Sequence, residues 1–169
     1  MSVAISRKMK GTIKSFDDDN HAKNDVRGRI AVKKFLDENT SLHTIDNPNR
    51  YGIDLLSLNK NDEVIACWEI EVREEGWPND TSFPHRTVNC IERKEYQWRK
   101  EPEFLRKIPF DLTKNCEIFY VQVNNLCTRC IVVDSSIILN YRLIPWSNKK
   151  AKGEYVRQVP VGLCKQYKI

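Results

Sequence analysis

Residues 53–72, IDLLSLNKNDEVIACWEIEV, are two apolar runs separated by Asn59-Lys60-Asn61-Asp62. Asn and Asp favour turns because their short polar side chains bond back onto the nearby backbone, whereas Val, Ile and Trp favour pleated strands. The spacing therefore predicts strands over Ile53–Leu58 and Glu63–Val72, paired antiparallel through a hairpin. Side chains alternate across a strand, so Val64, Ala66, Trp68, Ile70 and Val72 share one face, and Cys67, Glu69, Glu71 and Arg73 share the other. If Leu58 faces Glu63, Asp54 lies opposite Cys67 and one diagonal step from Glu69. The fold must bury the first face and account for paired glutamates on the second.

Opposed and diagonal residues in such a pair stand within about 5–8 Å, so Asp54, Glu69 and Glu71 are expected to converge on one patch. Three carboxylates crowded together repel unless positive charge lies between them. A divalent cation with hard-oxygen preference, Mg²⁺ above all, is the simplest counter-charge. The plainer alternative is a solvated strand face with Asp54 serving a turn. The apolar neighbours Ala66, Trp68, Ile70 and Val72 argue for a site, because an ordinary edge strand scatters Lys and Thr instead.

The rest of the chain supplies further elements. Asp25–Asn39 has near-helical spacing of Val26, Ile30 and Leu36 with bases on the other side, although Gly28 weakens its first turn. Leu42–Ile45 reads as a short strand ending at Asn47-Pro48-Asn49. Residues 74–87 read as a loop, and Ile91–Lys100 as a short helix stopped before Pro102. Glu117–Val123 and Cys130–Val133 suggest a second hairpin across Asn124-Asn125, with a further element from Ser136 to Leu139. The order helix, strands, helix, strands predicts a single α/β or α+β domain on a mixed central sheet flanked by helices. We expect an N-terminal arm over 1–24, a core over 25–146, and a basic C-terminal extension over 147–169 packed on or beside it.

Charge points to a polyanionic partner. The 169-residue chain carries +5 overall, and residues 141–169 hold seven Lys/Arg against the single acid Glu154. Residues 86–107 hold seven more bases against four acids. Arg86, Arg93, Lys149, Lys150 and Lys152 are the candidate nucleic-acid-binding residues in these two segments. No apolar run reaches the roughly 20 residues a membrane span needs, and MSVAISRKMK lacks a signal-peptide core, so an intracellular protein without membrane contact is expected. Cys67, Cys90, Cys116, Cys127, Cys130 and Cys164 then read as reduced thiols. Cys127-Thr128-Arg129-Cys130 has the spacing of half a zinc site, but no second pair or nearby histidine completes four ligands. His21, His43 and His85 are scattered, and no serine-hydrolase elbow, zinc-protease motif or phosphate-binding glycine loop occurs. Cys67 shares the acid-bearing face, where carboxylates suppress a thiolate, and reads as a packing residue.

An aspartate at the start of one strand, a hairpin, and Glu-x-polar in the next strand after an initial helix resembles the PD-(D/E)XK nuclease superfamily, over about Asp25 to Lys100. Asp54 matches the motif aspartate and Glu69 the motif glutamate. Glu71 departs from the pattern by standing where lysine is usual, as it does in some restriction enzymes of the superfamily. The resemblance implies a restriction-endonuclease-like fold and an Mg²⁺-dependent endonuclease acting on DNA, with Mn²⁺ as substitute metal and RNA left open as substrate. Asp54, Glu69 and Glu71 are its expected metal ligands. The third catalytic role falls either to Glu71 or to Lys94, which shares a helix face with Ile91 and Trp98. Superfamily members often add an acid from the first helix, for which Glu38 and Asp25 are candidates, Glu38 ranking below the three strand acids. A homodimer would let two sites cut both strands, although no segment reads as an interface. The alternative is a non-catalytic nucleic-acid-binding or inhibitory protein on a degenerate nuclease scaffold, favoured by the change at Glu71 and opposed by retention of Asp54 and Glu69.

Overall fold

Strand alternation and turn chemistry produce the predicted hairpin, with one irregularity that matters for the site. The computed structural model describes residues 18–48, 53–91, 116–146 and 154–169. Helix α1 spans Asp18–Asn39 and is followed by strands β1 (His43–Asp46), β2 (Leu55–Leu58), β3 (Val64–Arg73) and β4 (Thr87–Ile91). Then come β5 (Glu117–Asn124), β6 (Arg129–Asp134), the short helix α2 (Ser135–Leu139), β7 (Ile144–Pro145), β8 (Tyr155–Pro160), a 3₁₀ turn at Val161–Leu163, and β9 (Lys165–Lys168).

Asn59 closes the hairpin turn. Its Oδ1 accepts from the N–H groups of Asn61 and Glu63, at 2.9 and 3.0 Å, while Asp62 adopts φ 59°. Such local bonding is why Asn is favoured in turns. The pairing then runs Leu55–Trp68, Leu56–Cys67 and Ser57–Ala66, but Leu58 pairs with Val64, so Ile65 is an inserted bulge residue. Two expectations change. Val64 turns to the Cys67 side and packs with Leu58 there, rather than with Trp68. The register also moves Asp54 away from Cys67: its N–H donates to Trp68 O and its carboxylate accepts from the Ile70 N–H, on either side of Glu69.

Among the described residues the strands form a six-stranded sheet, ordered β1-β2-β3-β5-β6-β9, and a three-stranded sheet, ordered β4-β8-β7. The large sheet is mixed, because β3 and β5 are parallel and the other pairs are antiparallel. Parallel neighbours need a crossover between them, and here the segment between β3 and β5 includes β4. The protein is thus a mixed α+β fold on a multi-stranded sheet.

Each face of the large sheet is covered differently. On one face Val32 and Leu36 of α1 pack on Leu55, Ala66, Trp68, Ile70, Val121 and Val123. On the other, Cys67, Tyr120, Ile131 and Val133 pack against Val88, Cys90 and Val159 of the small sheet and Ile138 of α2. The expectation of helices flanking the sheet holds for the first face, whereas the second is closed largely by a second sheet.

Three further expectations are corrected. Helix α1 begins at Asp18, inside the expected arm, and residues 1–17 lie outside those described. Its inner face is not the Val26–Ile30 stripe: these two are 43% and 64% exposed, while Gly28 is buried. A Cβ at Gly28 would stand 2.7 Å from Val72 Cγ2 and 3.2 Å from Ile70 Cγ2, so the glycine lets the helix approach the sheet. Ile91, expected to begin a helix, ends β4 paired with Val156. Finally, the C-terminal segment supplies β8 to the small sheet and β9 to the edge of the large one, with Tyr167 against Phe35 of α1 at a 5.2 Å centroid distance. Among the described residues no helix is long and apolar enough to cross a membrane.

Candidate active site

Asp54 immediately precedes β2, and its backbone and side chain are both held. Its N–H donates to Trp68 O at 3.1 Å, and its carbonyl accepts from Asn47 N at 3.0 Å. Its carboxylate Oδ2 accepts from the Ile70 N–H at 2.7 Å, replacing the bond a continuing strand would make. Asn47 itself, 8% exposed, donates its side-chain amide to Ile53 O at 2.8 Å. The aspartate is therefore built into the β1–β2–β3 framework, which removes the side-chain freedom an ordinary turn aspartate keeps.

Glu69 lies on β3 level with Tyr120 of β5 and is 1% exposed. A carboxylate at such depth is costly to bury, so its presence needs compensation or a function. Glu71, one step along the same face, is partly exposed and engaged at both oxygens. Arg73 Nη1 stands 3.0 Å from its Oε1, and the Tyr120 hydroxyl donates a short hydrogen bond to its Oε2. Gln122 in turn donates to the Tyr120 oxygen at 3.1 Å and to Asn89 O in β4 at 3.1 Å. This chain of bonds ties β3, β5 and the small sheet together under the acids. Burial, then the neighbouring charge on Glu71, holds the Tyr120 phenol well above its ordinary pKa, so it stays a donor across the physiological range.

Among the described residues no group of three or more His, Cys, Asp or Glu side chains is arranged to hold a metal ion. The expected three-carboxylate cluster is thus divided: Asp54 is bonded to the residues flanking Glu69, while Glu71 turns its oxygens to Tyr120 and Arg73. The helix acid Glu38 does not join them. It is exposed, lies 3.8 Å from Lys34 Nζ, and belongs to the helix on the opposite face of the sheet. The side chain of Asp25 falls outside the described residues, as do Arg93, Lys94, Lys149, Lys150 and Lys152. Arg86 is exposed just before β4, and its carbonyl accepts from Val161 N at 2.9 Å. Cys67 is fully buried in the wall behind Glu69, with its sulfur 2.8 Å from that of Cys116.

Cys127 and Cys130 have raised thiol pKa values, Cys130 up to about 12, because both are desolvated. A zinc ligand needs the opposite shift, toward thiolate.

The residues missed by the sequence reading are Tyr120, Gln122, Asn89 and, as a partner of Glu71, Arg73. Arg73 was legible as sharing the face of Glu71. Tyr120 was not, because its place depends on a parallel pairing between β3, which ends at Arg73, and β5, which begins at Glu117, and strand alternation cannot specify that. No protein-family model, no curated protein and no solved structure matches this chain.

Proposed function

We propose that the protein is a metal-dependent endonuclease that hydrolyses phosphodiester bonds in DNA, on a scaffold of the restriction-endonuclease-like type. One observation carries the reading. Asp54, fixed just before β2 by bonds to Asn47, Trp68 and Ile70, is tied to the two residues of β3 that flank the deeply buried Glu69. The element order supports it: an initial helix, three antiparallel strands, then a strand parallel to the third. Function lives in the site rather than in the fold, and here the site is the pair of acids.

The donor set fits a small hard cation. Mg²⁺ usually draws one or two carboxylates from the protein and completes its shell with water and substrate phosphate. Asp54 and Glu69 supply two, and the division of Glu71 from them leaves the seat at that number. Mg²⁺, or Mn²⁺ in its place, would lower the pKa of an attacking water and offset charge developing on phosphate. The chain's own contributions are distinct. Asp54 is held rigid by β3, Glu69 is shielded from bulk water, and Tyr120 and Arg73 keep Glu71 from drifting into the seat. Exposed bases such as Arg86 would contact backbone phosphates, giving affinity without sequence choice.

The second reading, a non-catalytic nucleic-acid-binding module, is favoured by the engagement of Glu71 at both oxygens. The discriminating experiment incubates plasmid, linear duplex, single-stranded and four-way-junction DNA with Mg²⁺, Mn²⁺ or EDTA, for wild type beside Asp54→Ala. Metal-dependent cutting that disappears in the variant is expected. Binding without cutting on every substrate would move the assignment to the second reading.

A further inference from the structure

Replacing lysine by Glu71 removes a positive charge from the place where a phosphodiester's charge must be met, and Arg73 lies two residues further along the same strand face. Its Nη1 is 3.0 Å from Glu71 Oε1, and its side chain retains 20% exposure at the end of β3. The remaining face of the guanidinium borders a notch made by a missing side chain. A Cβ at Gly76 would stand 3.2 Å from Arg73 Nη2, 3.4 Å from its Nε, and 3.6 Å from His85 Nε2. His85 closes the other side of the notch, with Nε2 2.8 Å from Gly76 O. A carbonyl can only accept, so Nε2 carries the hydrogen and the imidazole anchors the turn. The Arg73 carbonyl accepts from Trp77 N at 3.3 Å, and Trp77 is 1% exposed, so this turn is tied to the core.

We propose that Arg73, braced by Glu71 and Tyr120 and bordered by the Gly76–His85 notch, is a substrate-contacting residue that binds a backbone phosphate beside the Asp54–Glu69 seat. A guanidinium presents several donors in one plane, so it can keep Glu71 on one edge while a phosphate takes another. Glu71 is then a positioning residue that aims the arginine. This inference rests on the nuclease reading above and assigns the cation that the substitution of lysine leaves missing.

The test compares wild type with Arg73→Ala, Arg73→Lys and Gly76→Ala. Binding of a labelled duplex in Ca²⁺ is measured against salt, and cleavage in Mg²⁺ is resolved into kcat and KM. Loss of one phosphate contact is expected to lower the slope of log affinity against log salt by about 0.9 in Arg73→Ala, with Arg73→Lys restoring the slope. The kcat of Arg73→Ala is expected to fall on the order of 100-fold, the usual effect of deleting one donor to a developing oxyanion. Gly76→Ala, which fills the notch without touching the acids, should impair kcat by a smaller factor while melting like wild type. A merely structural Arg73 would leave the salt slope unchanged, and its loss would be repaired by adding Glu71→Gln; that result overturns the proposal. Wild-type protein that cuts no substrate would instead overturn the nuclease reading beneath it.

Discussion

Tyr120 shows how one buried side chain organises the polar interior. It is fully buried, donates to Glu71 and accepts from Gln122. Tyr120→Phe preserves the ring and strips both partners of their contact. Leaving buried polar groups unsatisfied costs about 1–3 kcal/mol, so a loss of that size in urea unfolding is expected, with an unchanged dependence on denaturant. A loss below about 0.5 kcal/mol would mean that water replaces the hydroxyl, on the scale of an ordinary surface substitution. Ser57 makes a similar point in the first hairpin. It lies 2.9 Å from Thr44 Oγ1 and accepts from Trp68 Nε1 at 2.9 Å, so three polar groups on three strands satisfy one another. Asp54, Glu69 and Glu71 were legible as candidates because acids inside an apolar strand break an expected pattern. Tyr120, Gln122 and Asn89 were not, since a parallel pairing and a bond across to the second sheet depend on packing that local sequence does not encode.

At the level of elements, α1 and β3 are matched by a glycine. Gly28→Ala improves intrinsic helix propensity by roughly 1 kcal/mol, yet places a methyl 2.7 Å from Val72 Cγ2. Overpacking of this kind costs about 1–3 kcal/mol, and the clash involves a residue fixed in a strand, so net destabilisation is expected. Combining Gly28→Ala with Val72→Ala should recover part of it, and a non-additive double-mutant cycle in chemical denaturation checks the coupling. Additive losses would mean that the helix shifts freely. The sequence pointed to a helix here but to the wrong face, because Val26 and Ile30 look apolar while Gly28, with no side chain, gives no signal in a hydrophobic pattern. The hairpin was better specified: its turn residues act locally, as the Asn59 bonds to Asn61 and Glu63 show. The bulge at Ile65 leaves no mark in the sequence because Val64, Ile65, Ala66 and Cys67 are all apolar, so no polar residue shows where the alternation shifts.

Across the whole molecule, the chain's end completes the sheet. β9 pairs with β6 from Arg129–Lys168 to Val132–Lys165, and Ile169 N donates to Thr128 O at 2.9 Å. All four of its side chains are exposed and three of them, Lys165, Gln166 and Lys168, are basic or polar, which is why the segment reads as a charged tail when taken alone. Backbone pairing, rather than burial, fastens it. Removing residues 161–169 deletes these hydrogen bonds, each contributing about 0.5–1.5 kcal/mol, so a loss of several kcal/mol is expected in a denaturation midpoint. A dispensable tail would cost nothing. The same fold separates the acids: α1 and Glu38 cover one face of the large sheet, whereas Glu69 and Glu71 point to the other. In the proposed function, Asp54 and Glu69 form the metal seat and Glu71 does not. Titration of Mn²⁺ with the electron paramagnetic resonance of the free ion as readout tests this on wild type, Asp54→Asn, Glu69→Gln and Glu71→Gln. Binding is expected in wild type and Glu71→Gln and lost in the other two; retention in Asp54→Asn, or loss in Glu71→Gln alone, would rule out this seat.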